Sequence, residues 1–244
     1  LWTLRRVAQV IEREFGVRYH PGRVWYLLRG MGWSPQKPQR RARERDEEAI
    51  RTWRTQKWEE VKKKSRENGW PILFIDEGGY RLQPLVRRTW APKGETPVRY
   101  SWDRHDRLSV IAGVSFSPVQ HRPRLFFQKK NIRFDAVIAF LGLVHRHVKN
   151  KVILVLDRYS AHRKAVRLLQ EQHPDWIEVV WLPAYAPDLN PVEMVWNHSK
   201  YGDLANFLPE GIDHLQEAVS TSLERMKTKP ALLRSCFRYT GLEW

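Results

Sequence analysis

The chain has 244 residues, with 43 Lys and Arg against 27 Asp and Glu, for a formal charge of +16 at pH 7. That length holds one large domain, or an ordinary domain with a small appendage, and 42% hydrophobic residues exclude global disorder. The single cysteine, Cys236, excludes an intramolecular disulfide and a multi-cysteine zinc site.

Cys236 is expected to pack as a small apolar residue. No apolar run approaches the ~18 residues of a membrane span, and no signal peptide is visible. A charge this large concerns partners rather than fold, and it favours nucleic acid over ribosome association or an anionic membrane surface. The expected setting is a reducing cytoplasm with access to DNA. The chain opens at Leu1 in mid-pattern, as if an upstream segment were lacking.

Residues 3 to 33 read as two short helices. Thr3 is a candidate N-cap, Leu4, Val7, Ala8 and Ile11 share one face, and Gly16 stops the helix. His20-Pro21 starts the second, with proline in the first turn, and Val24, Leu27, Leu28 and Met31 form its expected buried stripe. Arg23, Tyr26 and Arg29 face outward. Two such helices around a tight turn suit a helix-turn-helix, although any helical hairpin shows the same period. The stretch Ser34 to Arg43 contains two prolines and presents Lys37, Arg40, Arg41 and Arg43 on an extended arm, able to follow phosphates or to lie in a minor groove. A solvated basic linker is the plain alternative. Residues 44 to 66 resume helical character around Ala49, Ile50, Trp53 and Val61, ahead of the breaker Asn68-Gly69. The expected division is therefore 1–43 as a DNA-binding segment with a basic arm, 44–69 as a linker helix, and 70–244 as the main domain.

From Trp70 the pattern changes to short apolar runs. Strands are expected at 71–76, 108–117, 124–130, 151–157 and 177–182, and helices at 135–148, 162–173, 190–204, 209–227 and 230–238. Antiparallel-looking runs followed by strand–helix alternation argue for an α/β mixed sheet.

Three acids stand out against this frame. Asp76 ends the run Pro71-Ile-Leu-Phe-Ile-Asp76, Asp157 ends Lys151-Val-Ile-Leu-Val-Leu-Asp157, and Glu193 follows Asn190-Pro191-Val192 at a helix start. Singly, each has a bland reading as a turn, cap or helix-dipole residue. Together, beside a strongly basic surface, they match phosphodiester chemistry by the two-metal mechanism. Magnesium takes oxygen ligands and is often held by a few carboxylates, water and substrate phosphate.

The stretch Tyr185-Ala-Pro-Asp-Leu-Asn-Pro-Val-Glu193-Met-Val-Trp196 resembles the third-acid motif of mariner-like DDE transposases, in particular their bacterial insertion-sequence branch. Phe74-Ile-Asp76-Glu77-Gly78-Gly79-Tyr80 resembles that branch's first-acid strand, and Leu156-Asp157-Arg158-Tyr-Ser-Ala-His162 its second. The resemblance spans residues 3 to 244 and takes in a winged-helix-type N-terminus. It implies an RNase H-like catalytic domain behind a small all-α helix-turn-helix segment. It also implies cut-and-paste transposition into a TA-containing target, with Asp76, Asp157 and Glu193 as the metal-binding and catalytic triad. Two Mg²⁺ ions are then the cofactors, with Mn²⁺ as a substitute. Double-stranded DNA, both terminal repeats and target, is the partner, and pairing of ends suggests a homodimer on DNA. One departure stands out: many relatives carry Asn after the second acid, where this chain has Arg158.

Arg158, His162 and Asn190 are candidate supports of the acids, and Lys200 a candidate DNA contact. Glu77 adjoins Asp76, but strand alternation turns it to the other face, which makes it a poor fourth ligand. Ser160 with His162 lacks the setting of an activated nucleophile. His145 and His147 diverge on a helix and do not suit a shared zinc. Trp90, Trp102, Trp181 and Trp196 can stack on bases or serve the core. Two other functions fit the same residues: a catalytically silent DNA-binding repressor descended from a transposase, and a standalone RNase H-like nuclease.

Overall fold

The computed structural model describes residues 2–36, 41–101, 104–129 and 134–243. It divides into two units, Leu1–Ala42 and Arg43–Trp244. In the smaller, α1 (Leu4–Phe15) and α2 (Pro21–Gly30) form the helical pair. The Thr3 hydroxyl accepts the Arg6 N–H at 3.2 Å, and Gly16, at φ 68°, ends α1 in the left-handed region. The ring of His20 accepts the Gly22 N–H ahead of α2. Val24 is buried, but Met31, expected in the same stripe, is 69% exposed. The reason is that α2 stops at Gly30, so Met31 sits past the last turn as its cap residue. Arg23, Tyr26 and Arg29 are exposed, and the Arg29 guanidinium lies 5.5 Å from the centre of the Trp25 ring. Arg41 and Arg43 are exposed, while Lys37 and Arg40 lie outside the described residues.

The larger unit is built on a five-stranded sheet of order β3-β2-β1-β4-β5. Its strands are β1 (Ile72–Arg81), β2 (Arg107–Phe116), β3 (Pro123–Lys129), β4 (Val152–Leu156) and β5 (Ile177–Trp181). β1, β2 and β3 pair antiparallel, whereas β4 pairs parallel with β1 and β5 with β4. The helices are α3 (Glu47–Thr52), α4 (Trp58–Asn68), α5 (Phe134–Val148), α6 (Ser160–Gln172), α7 (Pro191–Asn197), α8 (Ile212–Lys227) and α9 (Pro230–Tyr239). A π-helical turn, Trp53–Lys57, joins α3 to α4, and another, His198–Asp203, prolongs α7.

Strand alternation sorts the core into two layers. Ile72, Phe74, Ile153 and Val155 pack with Trp53, Trp58, Val61, Val192, Val195, Trp196 and helices α8 and α9. Leu73, Ile75, Leu154 and Leu156 pack with Val137, Phe140 and Val144 of α5 and Ala165, Val166 and Leu169 of α6 on the opposite face. The stretch 44–69, expected as a spacer, puts Ile50, Trp53, Trp58 and Val61 into the first layer. Burial of side chains this large contributes about 1.5–3 kcal/mol each, so α3 and α4 are part of the larger unit. Cys236 is buried there as well, and burial pushes its thiol up to about 11.

Candidate active site

β1 does not end at Asp76 as the apolar run suggests. It continues to Arg81, paired with β2 from Ile72↔Phe116 to Arg81↔Arg107. What ends near Asp76 is the pairing with β4, whose last partners are Phe74↔Val155. The offset relating Ile72 to Ile153 would, if continued, set Asp76 beside Asp157, which follows β4 directly. By alternation both belong to the face that carries α7. The two acids therefore stand where the sheet opens between β1 and β4, a crevice of the kind in which α/β sheets bind ligands.

Glu193 is brought to the same place by its helix start. Asn190 is the N-cap of α7: its Oδ1 accepts the Val192 N–H at 3.1 Å, and its Nδ2 donates to the Ile75 carbonyl at 3.0 Å. Cap and strand are thus tied together one residue before Asp76. The spacing from Asn190 to Glu193 is that of a capping box, in which the acid reaches back to the cap N–H. Here that N–H goes to the Pro187 carbonyl at 2.9 Å, so the Glu193 carboxylate is left exposed and uncommitted. The other acid of this loop, Asp188, is committed. Arg45 grips it at 2.5 and 3.0 Å and also donates to the Tyr185 carbonyl, holding Asp188 below the usual carboxylate range.

Trp196, one turn beyond Glu193, lies on β1 and donates its indole N–H to Asp76 Oδ2 at 2.9 Å. Gly78 permits this: a Cβ there would sit 2.9 Å from the indole. Burial, aided by the Glu193 charge, raises Asp76 to about 7, against the opposing bond from Trp196. Glu193, though open to solvent at its tip, is also raised by partial burial, with Lys200 opposing and Asp157 adding to the rise. Lys200 lies on the π-helical turn, 5.2 Å from the Tyr80 ring centre, and feels both Glu193 and Asp76. Burial nonetheless lowers its pKa. That turn is itself anchored, because Ser199 bonds both the Tyr80 and the Ser222 hydroxyls at 3.0 Å.

His162, on α6, is fully buried and bridges two carboxylates, with Nδ1 to Asp157 Oδ1 and Nε2 to Glu77 Oε1, both at 2.6 Å. Both ring nitrogens face acceptors, so the ring is an imidazolium. Burial pushes its pKa down, but the two carboxylates outweigh that and lift it to about 10. Burial raises Asp157, yet His162 and the Tyr159 N–H, also on Oδ1, leave it below the ordinary value. Sequence reasoning set Glu77 aside on alternation, and it does face away from Asp76; its contact with His162 was missed. The signal was present in the spacing of Asp157 to His162, which returns the imidazole to the strand end. With both nitrogens engaged, His162 is not available as a base for Ser160. Arg158 is exposed and lines a groove with Lys151, Arg163 and Arg167 beside β5. His145 stacks on Trp176 while His147 meets Phe126 edge-on, so the pair shares no site. Trp196 is core, Trp90 is 99% exposed, and Trp102 lies outside the described residues.

A family model described as DDE superfamily endonuclease matches residues 71–210. The chain belongs to the DDE superfamily endonucleases. A second model, winged helix-turn helix, matches residues 1–57 of this endonuclease. Among solved structures, the Mos1 strand transfer complex is 18% identical at a TM-score of 0.65, covering 99% of this chain and 71% of that one. The Mos1 mariner paired-end complex with Mn is 16% identical at a TM-score of 0.66, covering 99% and 72%. A Mos1 paired-end complex with the left transposon end is 16% identical at 0.62, covering 100% and 75%. At these identities the likeness establishes the RNase H-like fold. A search of curated proteins finds no match.

The family implies a divalent metal. Among the described residues, no three His, Cys, Asp or Glu side chains close into a ready-made metal cage. The donors nevertheless fit hard cations. All are carboxylate oxygens, the Glu193 carboxylate accepts no hydrogen bond among the described residues, and Asp157 Oδ2 is likewise left over. Two ions completed by water and substrate phosphate need only a few such ligands.

Proposed function

We propose that the protein is a DNA transposase that cuts the ends of its element and joins them to a TA-containing target. What supports this reading most is that three acids from separate elements face the β1–β4 opening closely enough for Glu193 to feel the charge of Asp157 and Asp76 that of Glu193. The β1–β4 register, continued two residues beyond Phe74↔Val155, would set Asp76 beside Asp157, and the Asn190 cap starts the helix that carries Glu193. Asp76, Asp157 and Glu193 would hold two Mg²⁺, or Mn²⁺ in their place. When bound, such ions supply charge neutralisation at the phosphate and activation of the attacking water or 3′-hydroxyl. The chain's own residues prepare that site. His162 and the Tyr159 N–H hold Asp157, Trp196 covers and orients Asp76, and Lys200 brings a cation beside Asp76 and Glu193, where phosphate would lie. Arg23, Tyr26 and Arg29 of α2, with the basic arm Lys37 to Arg43, are assigned to double-stranded terminal-repeat DNA. Two copies pairing the two ends, in a prokaryotic cytoplasm, complete the proposal. No helix among the described residues is long and apolar enough to cross a membrane.

Incubation with a terminal-repeat duplex and Mg²⁺, with and without target plasmid, tests it. Joined product is the expected result. Nicking without joining would make the chain a nuclease, and binding without any reaction would make it a silent DNA-binding derivative.

A further inference from the structure

We infer that Glu77 is a positioning residue, which fixes the second acid of the site through His162. The inference rests on the reading of Asp157 as a metal ligand and extends it to a residue on the opposite face of the sheet. Asp157 follows the last residue of β4 and its side chain is 56% exposed. A carboxylate so exposed, one step past its strand, samples several rotamers unless held, and ordering it costs conformational entropy. The hold comes from a buried ring bonded at both nitrogens. His162 is wholly buried, and its far nitrogen is fastened 2.6 Å from Glu77, itself only 12% exposed.

Glu77 belongs to β1, immediately after Asp76, and alternation sends its carboxylate to the α6 face. One dipeptide of β1 thus serves the site twice. Asp76 faces the crevice directly, while Glu77 reaches around the neighbouring strand through His162 to set Asp157. Because Asp157 Oδ1 takes both His162 and the Tyr159 N–H, Oδ2 remains for a ligand. Partners that orient a ligating group in this way typically alter metal affinity by roughly 10–100-fold when removed.

The test uses Mn²⁺ binding to the full chain, followed by electron paramagnetic resonance, alongside cleavage as a function of Mg²⁺ and thermal unfolding. Glu77→Gln keeps the reach to His162 without the charge; Glu77→Asp keeps the charge without the reach. Glu77→Gln is expected to bind Mn²⁺ within about threefold of the parent. Glu77→Asp and Glu77→Ala should bind at least about tenfold more weakly, with cleavage recovering at higher Mg²⁺. If Glu77→Ala does not fold, the Asp and Gln pair decides alone. Glu77→Asp binding as the parent does would overturn the inference, and so would Glu77→Gln losing metal as Asp157→Asn does, since that marks a direct ligand. Loss of folding in all three variants would leave Glu77 a stability residue and also end it. If the parent itself binds no Mn²⁺ and does not cleave, the transposase reading fails first, and the inference falls with it. Tight binding that Asp157→Asn abolishes and Glu77→Asp spares sinks the inference alone.

Discussion

Asn190 joins the start of α7 to β1 by donating to the Ile75 carbonyl at 3.0 Å while accepting the Val192 N–H at 3.1 Å. Asn190→Ala removes the cap, which costs about 1 kcal/mol, and strands a buried carbonyl for about 1–3 kcal/mol more. Asn190→Asp keeps the cap and loses the donor. It should therefore unfold at a temperature nearer the parent's than Asn190→Ala does, yet still cleave poorly, because Glu193 is no longer tied to the strand of Asp76. Thermal unfolding and cleavage on both variants check this. Full cleavage by Asn190→Asp would show that the tie is dispensable.

Asp76 gives a pH signature in metal-free protein. Its folded pKa, about 7, stands above the ordinary carboxylate value of 3.8, so the native state binds more protons than the unfolded one between them. Stability from this group is therefore greatest below about pH 4, falls as pH rises, and levels off above 7. At about 1.4 kcal/mol per unit, reduced by water reaching the carboxylate, Asp76→Asn should be more stable than the parent by about 1–3 kcal/mol at pH 8. The gap should close towards pH 4. Denaturant titrations in chelator at both pH values measure it, and a gap independent of pH refutes the assignment.

Gly78 and Trp196 test how Asp76 is oriented. A Cβ at residue 78 would lie 2.9 Å from the indole, inside contact distance, and overpacking of this kind costs about 1–3 kcal/mol. Gly78→Ala should lower stability, change the Trp196 fluorescence, and weaken cleavage by displacing the N–H that Asp76 accepts. Trp196→Phe removes the donor together with part of the buried ring, and should raise the Asp76 pKa further, shifting the cleavage–pH curve to higher pH. An unmoved curve for Trp196→Phe would deny the bond its role.

Asp188 and Glu193 are five residues apart and should fail in different ways. Asp188 is held by Arg45, whose side chain is only 9% exposed. Asp188→Ala should destabilise by about 1–2 kcal/mol, after allowing for solvent on the aspartate side, and leave cleavage measurable at low temperature. Glu193→Gln should abolish cleavage with little change in stability. The reverse pattern in paired unfolding and cleavage measurements would exchange their roles.

Much of this was legible in the sequence because the local signals agree with the tertiary structure. The five strands and the helices of the larger unit fall close to where apolar runs and 3.6-residue periodicity put them, and Asn190-Pro191 marks the start of α7 through cap chemistry alone. What escaped depends on neighbours remote in the chain. The extension of β1 to Arg81, past the expected end at Asp76, needs β2 as partner. The burial of Trp53 and Trp58 in the sheet's core, which makes 44–69 part of the larger unit, is invisible in an amphipathic pattern that equally fits a spacer. Glu77 was correctly turned away from Asp76 by alternation, but its partner comes from α6, 85 residues further on.

The helix-turn-helix assignment predicts a salt effect divided among named residues. Arg23, Tyr26 and Arg29 are exposed on α2. If Arg23 lies against a phosphate, Arg23→Ala should weaken binding of every duplex about equally and reduce the slope of log K against log[salt] by roughly 1. Arg29 stands over Trp25 at 5.5 Å, which fixes its guanidinium and suits it to a base edge. Arg29→Ala should then cost about 1–3 kcal/mol on the terminal repeat and less on unrelated DNA. Fluorescence anisotropy on both duplexes across a salt series separates the two contributions. Parent-like slopes and affinities in both variants would move DNA recognition away from α2.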